Sequence, residues 1–303
     1  PPKFFKQFYS VTCDEGHKSQ SVSYKKILKH TNNSAYYRWG MSGSFPKDES
    51  HEMAEIMAKT GPVVDTVKAR ELMDQGYITQ VKIKGILLKH NNWEFTDALE
   101  GVASRDKKSA YDLEVEKIQE SSERLDVINQ IVSKCKSNTL VLFHNTDYGK
   151  KILEHLEEMN PDMEFYYIDG SVKENGTKKN PEKSRKYIKT QMEKTDKVRV
   201  LCASFGTLST GVSINAITNI LFTQSFKKPQ VIIQSIGRAL RLHPDKDMAY
   251  IFDLVDVFQP DYYAQPRRKK FKNILFTHWE KRLKIYAEEE YPATSMSINL
   301  IEP

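Results

Sequence analysis

The sequence predicts an α/β fold of parallel sheets with flanking helices, on three observations. Short apolar runs alternate with amphipathic stretches along most of the chain, the pattern of strands joined by crossover helices. The length of 303 residues is about twice that of a usual single domain and leaves room for two cores. With 39% hydrophobic and 28% charged residues, the chain is too apolar for wholesale disorder and too polar for a membrane protein. It has no apolar run near the roughly 20 residues of a membrane-spanning helix.

Taken in order, the first strand is Phe8 to Cys13, which runs directly into Asp14-Glu15-Gly16-His17. A helix follows near Ser21 to Lys29, and glycines mark a second strand end in Tyr37 to Ser44. The β-rich run Gln80 to Lys89 closes this first pattern. Residues 91–121 are largely polar and read as a connector carrying some helix. A second alternation then gives strand Thr139 to His144, helix Tyr148 to Met159, strand Glu164 to Ile168 and helix Pro181 to Glu193. Strands Lys197 to Ala203 and Thr218 to Thr223, helix Gln230 to Leu242 and strand Ala249 to Leu254 complete a doubly wound domain. Beyond Pro260, Arg267-Arg268-Lys269-Lys270 opens a basic helix ending at Glu288-Glu289-Glu290, with Phe271, Ile274, Leu275 and Trp279 spaced as a packing stripe. The expected organisation is a partial domain at 1–90, the connector at 91–121, a complete domain at 122–260 and a basic helical tail at 261–303.

Lysine and arginine exceed aspartate and glutamate by 46 to 40, a net charge of +6 that permits a polyanionic partner without demanding one. Cys13, Cys135 and Cys202 are far apart and form no metal-ligand spacing, which fits a reducing cytoplasm. The chain starts Pro-Pro-Lys and runs almost at once into a chemical motif, so it reads as a piece of a longer protein.

Four segments carry chemistry. Asp14 and Glu15 leave a strand end side by side; one can hold Mg²⁺ and the other can orient a water for attack on a phosphoryl group. The same four letters also suit a solvated turn. In Gln234-Ser235-Ile236-Gly237-Arg238-Ala239-Leu240-Arg241, the spacing i, i+4, i+7 puts Gln234, Arg238 and Arg241 on one helix face and Ile232, Ile236, Ala239 and Leu240 on the other. Two guanidiniums and an amide converging in this way suit a triphosphate, although a plain surface helix with solvated arginines is the simpler alternative. Ala203 to Ser213 is dense in hydroxyls and glycines that can grip phosphates or merely cap a helix. Ser42-Gly43-Ser44 carries the same ambiguity.

In this order and spacing the segments resemble the motifs of superfamily 2 nucleic-acid helicases, in their phage recombination branch. Asp14-Glu15-Gly16-His17 matches motif II, Gly40 to Ser44 motif III, Leu140 to Thr146 motif IV, Ala203 to Ser213 motif V and Gln234 to Arg241 motif VI. The resemblance runs from Ser10 to Val257. It implies RecA-like domains of the P-loop NTPase helicase type, with ATP and Mg²⁺ as cofactors and DNA as partner, branched or single-stranded, with an RNA:DNA hybrid as a further substrate form. It assigns Asp14 to Mg²⁺, Glu15 to the attacking water, and His17, Ser42 and Ser44 to coupling. Gln234, Arg238 and Arg241 are assigned to the γ-phosphate, Gly211 to the nucleotide, and Ser204 and Thr207 to the nucleic-acid backbone. The P-loop pattern itself is absent, since the only Gly-Lys pair is Gly149-Lys150 with His144 in the place of the leading glycine; the loop is expected upstream of Pro1. A catalytically inactive, helicase-like nucleic-acid-binding scaffold is the alternative.

Overall fold

The computed structural model describes residues 2–31, 35–43, 45–46, 50–175, 184–208, 214–226, 229–258 and 271–300. The chain divides into two compact units, residues 1–67 and 68–303. The first holds α1 (Pro2–Phe5), β1 (Ser10–Cys13), a 3₁₀ turn (Gly16–Gln20), α2 (Val22–Thr31), β2 (Tyr37–Gly40) and α3 (His51–Thr60). β1 and β2 pair in parallel, Ser10 opposite Tyr37 through Cys13 opposite Gly40. Met53 and Ile56 of α3 and Leu28 of α2 are buried in this unit.

The second unit is organised by one seven-stranded sheet. Its elements are α4 (Ala69–Asp74), β3 (Gln80–His90), α5 (Trp93–Ala103), α6 (Lys107–Glu120), α7 (Ser122–Lys134), β4 (Thr139–Phe143), α8 (Thr146–Met159) and β5 (Glu164–Ile168). There follow α9 (Arg185–Met192), β6 (Arg199–Ser204), α10 (Phe205–Leu208), β7 (Asn219–Phe222), α11 (Pro229–Ala239), β8 (Met248–Val257), α12 (Ile274–Glu288) and β9 (Ala293–Leu300). The strand order is β5-β6-β4-β7-β8-β3-β9, and every pairing is parallel. All strand carboxyl ends therefore lie along one edge of the sheet. β4 sits inside the sheet, and each of its five residues is buried, which explains its unbroken apolar run.

Both faces of the sheet carry packed helices, and side-chain alternation along the strands divides the core in two. On one face Val127, Ile128 and Val132 of α7 and Tyr148, Ile152 and Leu156 of α8 pack with Val141, Val200 and Leu254. On the other, Ile188 of α9, Ile232 and Ile236 of α11, and Trp279 and Tyr286 of α12 pack with Leu140, Leu201 and Ile251. A smaller cluster joins Leu99 of α5, Ala110 and Ile118 of α6, and Leu275 of α12 around Phe258.

Three expectations are corrected. The run Gln80 to Lys89 does not close the first pattern: β3 lies between β8 and β9 in the second unit's sheet, and the first unit ends at Val67. An apolar strand carries no mark of which sheet it enters, because the neighbours that bury it come from distant sequence. The polar connector is two full helices, α5 and α6, capped by Asn92 and Asp106 side chains. The tail is not helical throughout: α12 begins only at Ile274, buries Leu275, Trp279, Arg282 and Tyr286, and leads into the edge strand β9. Its packing stripe is real, whereas Arg267 to Lys270 lie outside the described residues.

Candidate functional site

In the first unit, β1 ends at Cys13 and the next residues turn sharply. Glu15 adopts the left-handed conformation at φ 52°, ψ 51°, a costly state for a non-glycine residue that recurs at functional turns. Its backbone N–H donates to Oδ1 of Asp14 at 2.8 Å. The N–H of Gly16 donates to Met41 O at 2.7 Å, and that of Met41 to Cys13 O at 2.9 Å, so the β1–β2 pairing continues past both strand ends. A β-carbon on Gly16 would lie 3.2 Å from the Cα of Gly40; glycine permits this approach. The consequence is that His17 reaches Ser42, Nδ1 to Oγ at 2.8 Å, and lies 3.3 Å from Oε2 of Glu15. Asp14, Glu15, His17 and Ser42 thus form one constellation, while Ser44 lies outside the described residues.

In the second unit, α11 presents the arrangement its spacing requires. Ile232, Ile236 and Ala239 are fully buried, and Gln234 and Arg238 are half-buried on the other side. The helix is shorter than expected, ending at Ala239, with Pro244 soon after. Arg241 is therefore placed by the turn beyond it, not by the helix. There Thr79, at the entry to β3, donates its N–H to Leu240 O at 2.8 Å and its hydroxyl to Arg241 O at 3.1 Å. Burial, together with the charge of Arg241, holds the Arg238 guanidinium below its ordinary range. An anion at this face would offset both effects.

Ser204 closes β6, and its hydroxyl lies 2.7 Å from that of Thr207. Thr207 is only 3% exposed, which leaves Ser204 as the more accessible of the two. Gly211 lies outside the described residues. Gly149 and Lys150 sit within α8, where a β-carbon on Gly149 would strike the Phe143 ring at 2.6 Å; this glycine packs a helix onto a strand and forms no phosphate loop.

Sequence reasoning missed the groups that hold these parts still. Gln224, just after β7, accepts the N–H groups of His144 and Asn145 at 2.6 and 2.9 Å through its side-chain oxygen, fixing the turn after β4. Asp256 of β8 takes two hydrogen bonds from Arg124 of α7, at 2.8 and 3.0 Å, and one contact of 3.0 Å from His90. Asp253, on the opposite face, takes two from Arg282 of α12, at 2.8 and 2.9 Å, and one from Tyr286 at 2.7 Å. Arg282 also reaches Ser225 Oγ and Phe226 O at 3.0 and 3.1 Å, tying α12 to the segment before α11. Two carboxylates inside an apolar strand were the available signal, since buried aspartates are almost always paired.

Residues 123–243 match the helicase conserved C-terminal domain. That match and the parallel sheet identify a helicase-type C-terminal domain within the second unit. Over 305 aligned residues it is 28% identical to the ATP-dependent DNA helicase UvsW of Enterobacteria phage T4, covering 99% of this chain and 57% of that protein. The crystal structure of T4 UvsW aligns at TM-score 0.56 and 26% identity over 99% of this chain and 56% of that one. The DNA-bound restriction-modification enzyme LlaBIII aligns at TM-score 0.60 and 13% identity, over 98% of this chain and 22% of that one, a likeness of fold. The similarity to UvsW includes the tail beyond Gln259, which the motif reading excluded. The chain spans little more than half the length of that relative.

Proposed function

We propose that this chain is part of an ATP-dependent DNA helicase or translocase of the UvsW type, acting on branched DNA or R-loops in recombination and fork repair. The observation that carries the reading is the end of α11, where half-buried Arg238 and Gln234 on the helix and Arg241 on the turn beyond it bring two like charges together beside a helix face locked in the core. Such a face suits a triphosphate whose charge rises in the transition state.

The acidic turn fits Mg²⁺. That ion is held by one or two carboxylates with phosphate oxygens and water, and Asp14 is an exposed carboxylate outside any cluster of three or more candidate ligands among the described residues. ATP with Mg²⁺, when bound, supplies the phosphoanhydride whose hydrolysis drives the cycle. Asp14 binds the cation, Glu15 orients and deprotonates the attacking water, and His17 passes the state of that turn to the motif III segment through Ser42. Ser44 shares this role. Arg238 and Arg241 would neutralise the γ-phosphate and Gln234 would donate a hydrogen bond to it; Gly211 is given to the nucleotide by its motif position alone. Ser204 grips the DNA backbone without reading bases, and the buried Thr207 orients the Ser204 hydroxyl.

In the protein at its natural length, Glu15→Gln should reduce DNA-stimulated ATP turnover by at least about 100-fold while preserving salt-sensitive DNA binding. DNA binding with no ATP turnover in the unaltered protein would establish the inactive scaffold instead.

A further inference from the structure

The second unit contains a cleft unrelated to any helicase motif. It has a volume of about 460 Å³ and lies between the carboxyl-terminal half of α7 and the sheet face formed by β8, β3 and β9. Its floor is Ile86, Phe252 and Ile298. At its mouth Tyr250 and Met296 are 41% and 40% exposed, unusual for large apolar side chains on adjacent parts of one sheet face. Parallel sheets are normally covered on both faces. Here α8 covers the β4 and β6 side with α7, while the β3–β9 side has only the flank of α7 over it.

The charge on the rim is one-sided. Lys84 projects from β3, and Lys134 and Lys136 flank the end of α7. None of the three makes an ion pair among the described residues, and no aspartate or glutamate is among the lining residues. Three ammonium groups around an apolar floor repel one another and favour an apolar ligand that carries carboxylates.

We infer that this cleft docks an acidic amphipathic segment of a partner protein, a helix that places two bulky apolar side chains on the Ile86–Phe252–Ile298 floor and its carboxylates on Lys84, Lys134 and Lys136. The cleft volume lies within the range of sites that bury a few large side chains, and helix-in-groove recognition uses apolar anchors one turn apart. The surface acts independently of nucleotide hydrolysis and gives the protein a means of recruitment. A small apolar anion would use the same floor, but with carboxylates spaced for at most one or two of the lysines.

The test uses the chain of residues 1–303 and a fluorescein-labelled synthetic helix of about 16 residues, with leucine and phenylalanine at i, i+3, i+4 and i+7 flanked by glutamates. Fluorescence anisotropy should show saturable binding in the range of tens of micromolar. Lys84→Glu with Lys134→Glu should weaken it at least tenfold without lowering the melting temperature, and a peptide with lysines in place of the glutamates should bind that variant better than the unaltered chain. Met296→Glu should weaken the original peptide in the same way. No saturable binding, or equal binding to the charge-reversed variant, would overturn the inference. So would concentration-dependent dimerisation of the unaltered chain abolished by Met296→Glu, which would make the cleft a self-interface, or a loss of DNA affinity in the lysine variant with peptide binding intact, which would make the lysines part of a nucleic-acid track.

Discussion

At the scale of the residue, the conformation of a few positions is set by what lies across the fold from them. Gly85 of β3 faces Trp279 of α12 so closely that a β-carbon would lie 2.4 Å from Cη2 of the indole. Glycine weakens a strand, and here the missing side chain makes room for the ring that seats α12 on the sheet. Gly85→Ala should destabilise the chain by about 1–3 kcal/mol. In urea unfolding, Trp279→Phe should restore part of that loss when combined with it; simple additivity would show that the two positions do not couple. The aspartate and glutamate of the acidic turn were legible in the sequence as a motif. The left-handed backbone of Glu15 and the His17–Ser42 hydrogen bond were not, because they depend on the parallel register of two strands separated by 23 residues at their nearest ends.

At the scale of the element, α12 shows how a helix can be secured from outside. Its first turn lacks a cap from its own Asn273 side chain. Instead Glu114 of α6 accepts the N–H groups of Ile274 and Leu275 at 2.7 and 2.8 Å and the Asn273 side-chain amide at 2.9 Å. A carboxylate on the orphan donors of a helix N-terminus satisfies them and complements the dipole. Glu114→Ala should cost on the order of 2–3 kcal/mol, and Glu114→Gln less, because one acceptor oxygen remains. Thermal melts in which neither variant lost stability would mean that packing alone holds α12. The stripe of Phe271, Ile274, Leu275 and Trp279 was readable as helical periodicity. Its cap was not, since the capping residue precedes the helix by some 160 positions.

At the scale of the whole molecule, each face of the sheet is closed by a buried ion pair on β8: Asp256 with Arg124 on the α7 side, Asp253 with Arg282 on the α12 side. Burial would push the Asp256 carboxyl up, but the Arg124 guanidinium and the His90 imidazole outweigh it and hold the group down, from an ordinary 3.8 to about 2. A carboxyl depressed in the folded state binds fewer protons than in the unfolded state. The stability it contributes is therefore complete above about pH 4 and is lost as pH falls toward about 2. The loss should be on the order of 2 kcal/mol. It should disappear from the acid limb of the stability profile in Asp256→Asn, measured by denaturant unfolding across that interval; an unchanged acid limb would show that Asp256 is not the titrating group.

The sequence by itself determined the local content of this protein. The strands and helices between Thr139 and Leu254 follow from runs and periodicities contained in single segments, and the acidic turn and the arginine helix are written as contiguous motifs. Only the tertiary structure decided where β3 and β9 go, that Glu114 caps α12, that Arg241 is placed by Thr79 and not by its own helix, and that one flank of the sheet is left open beside three lysines. Each of these depends on partners tens to hundreds of positions away. Parallel pairing, buried ion pairs and cross-element caps are all contacts between distant residues, and a linear pattern carries the demand for a partner without naming it.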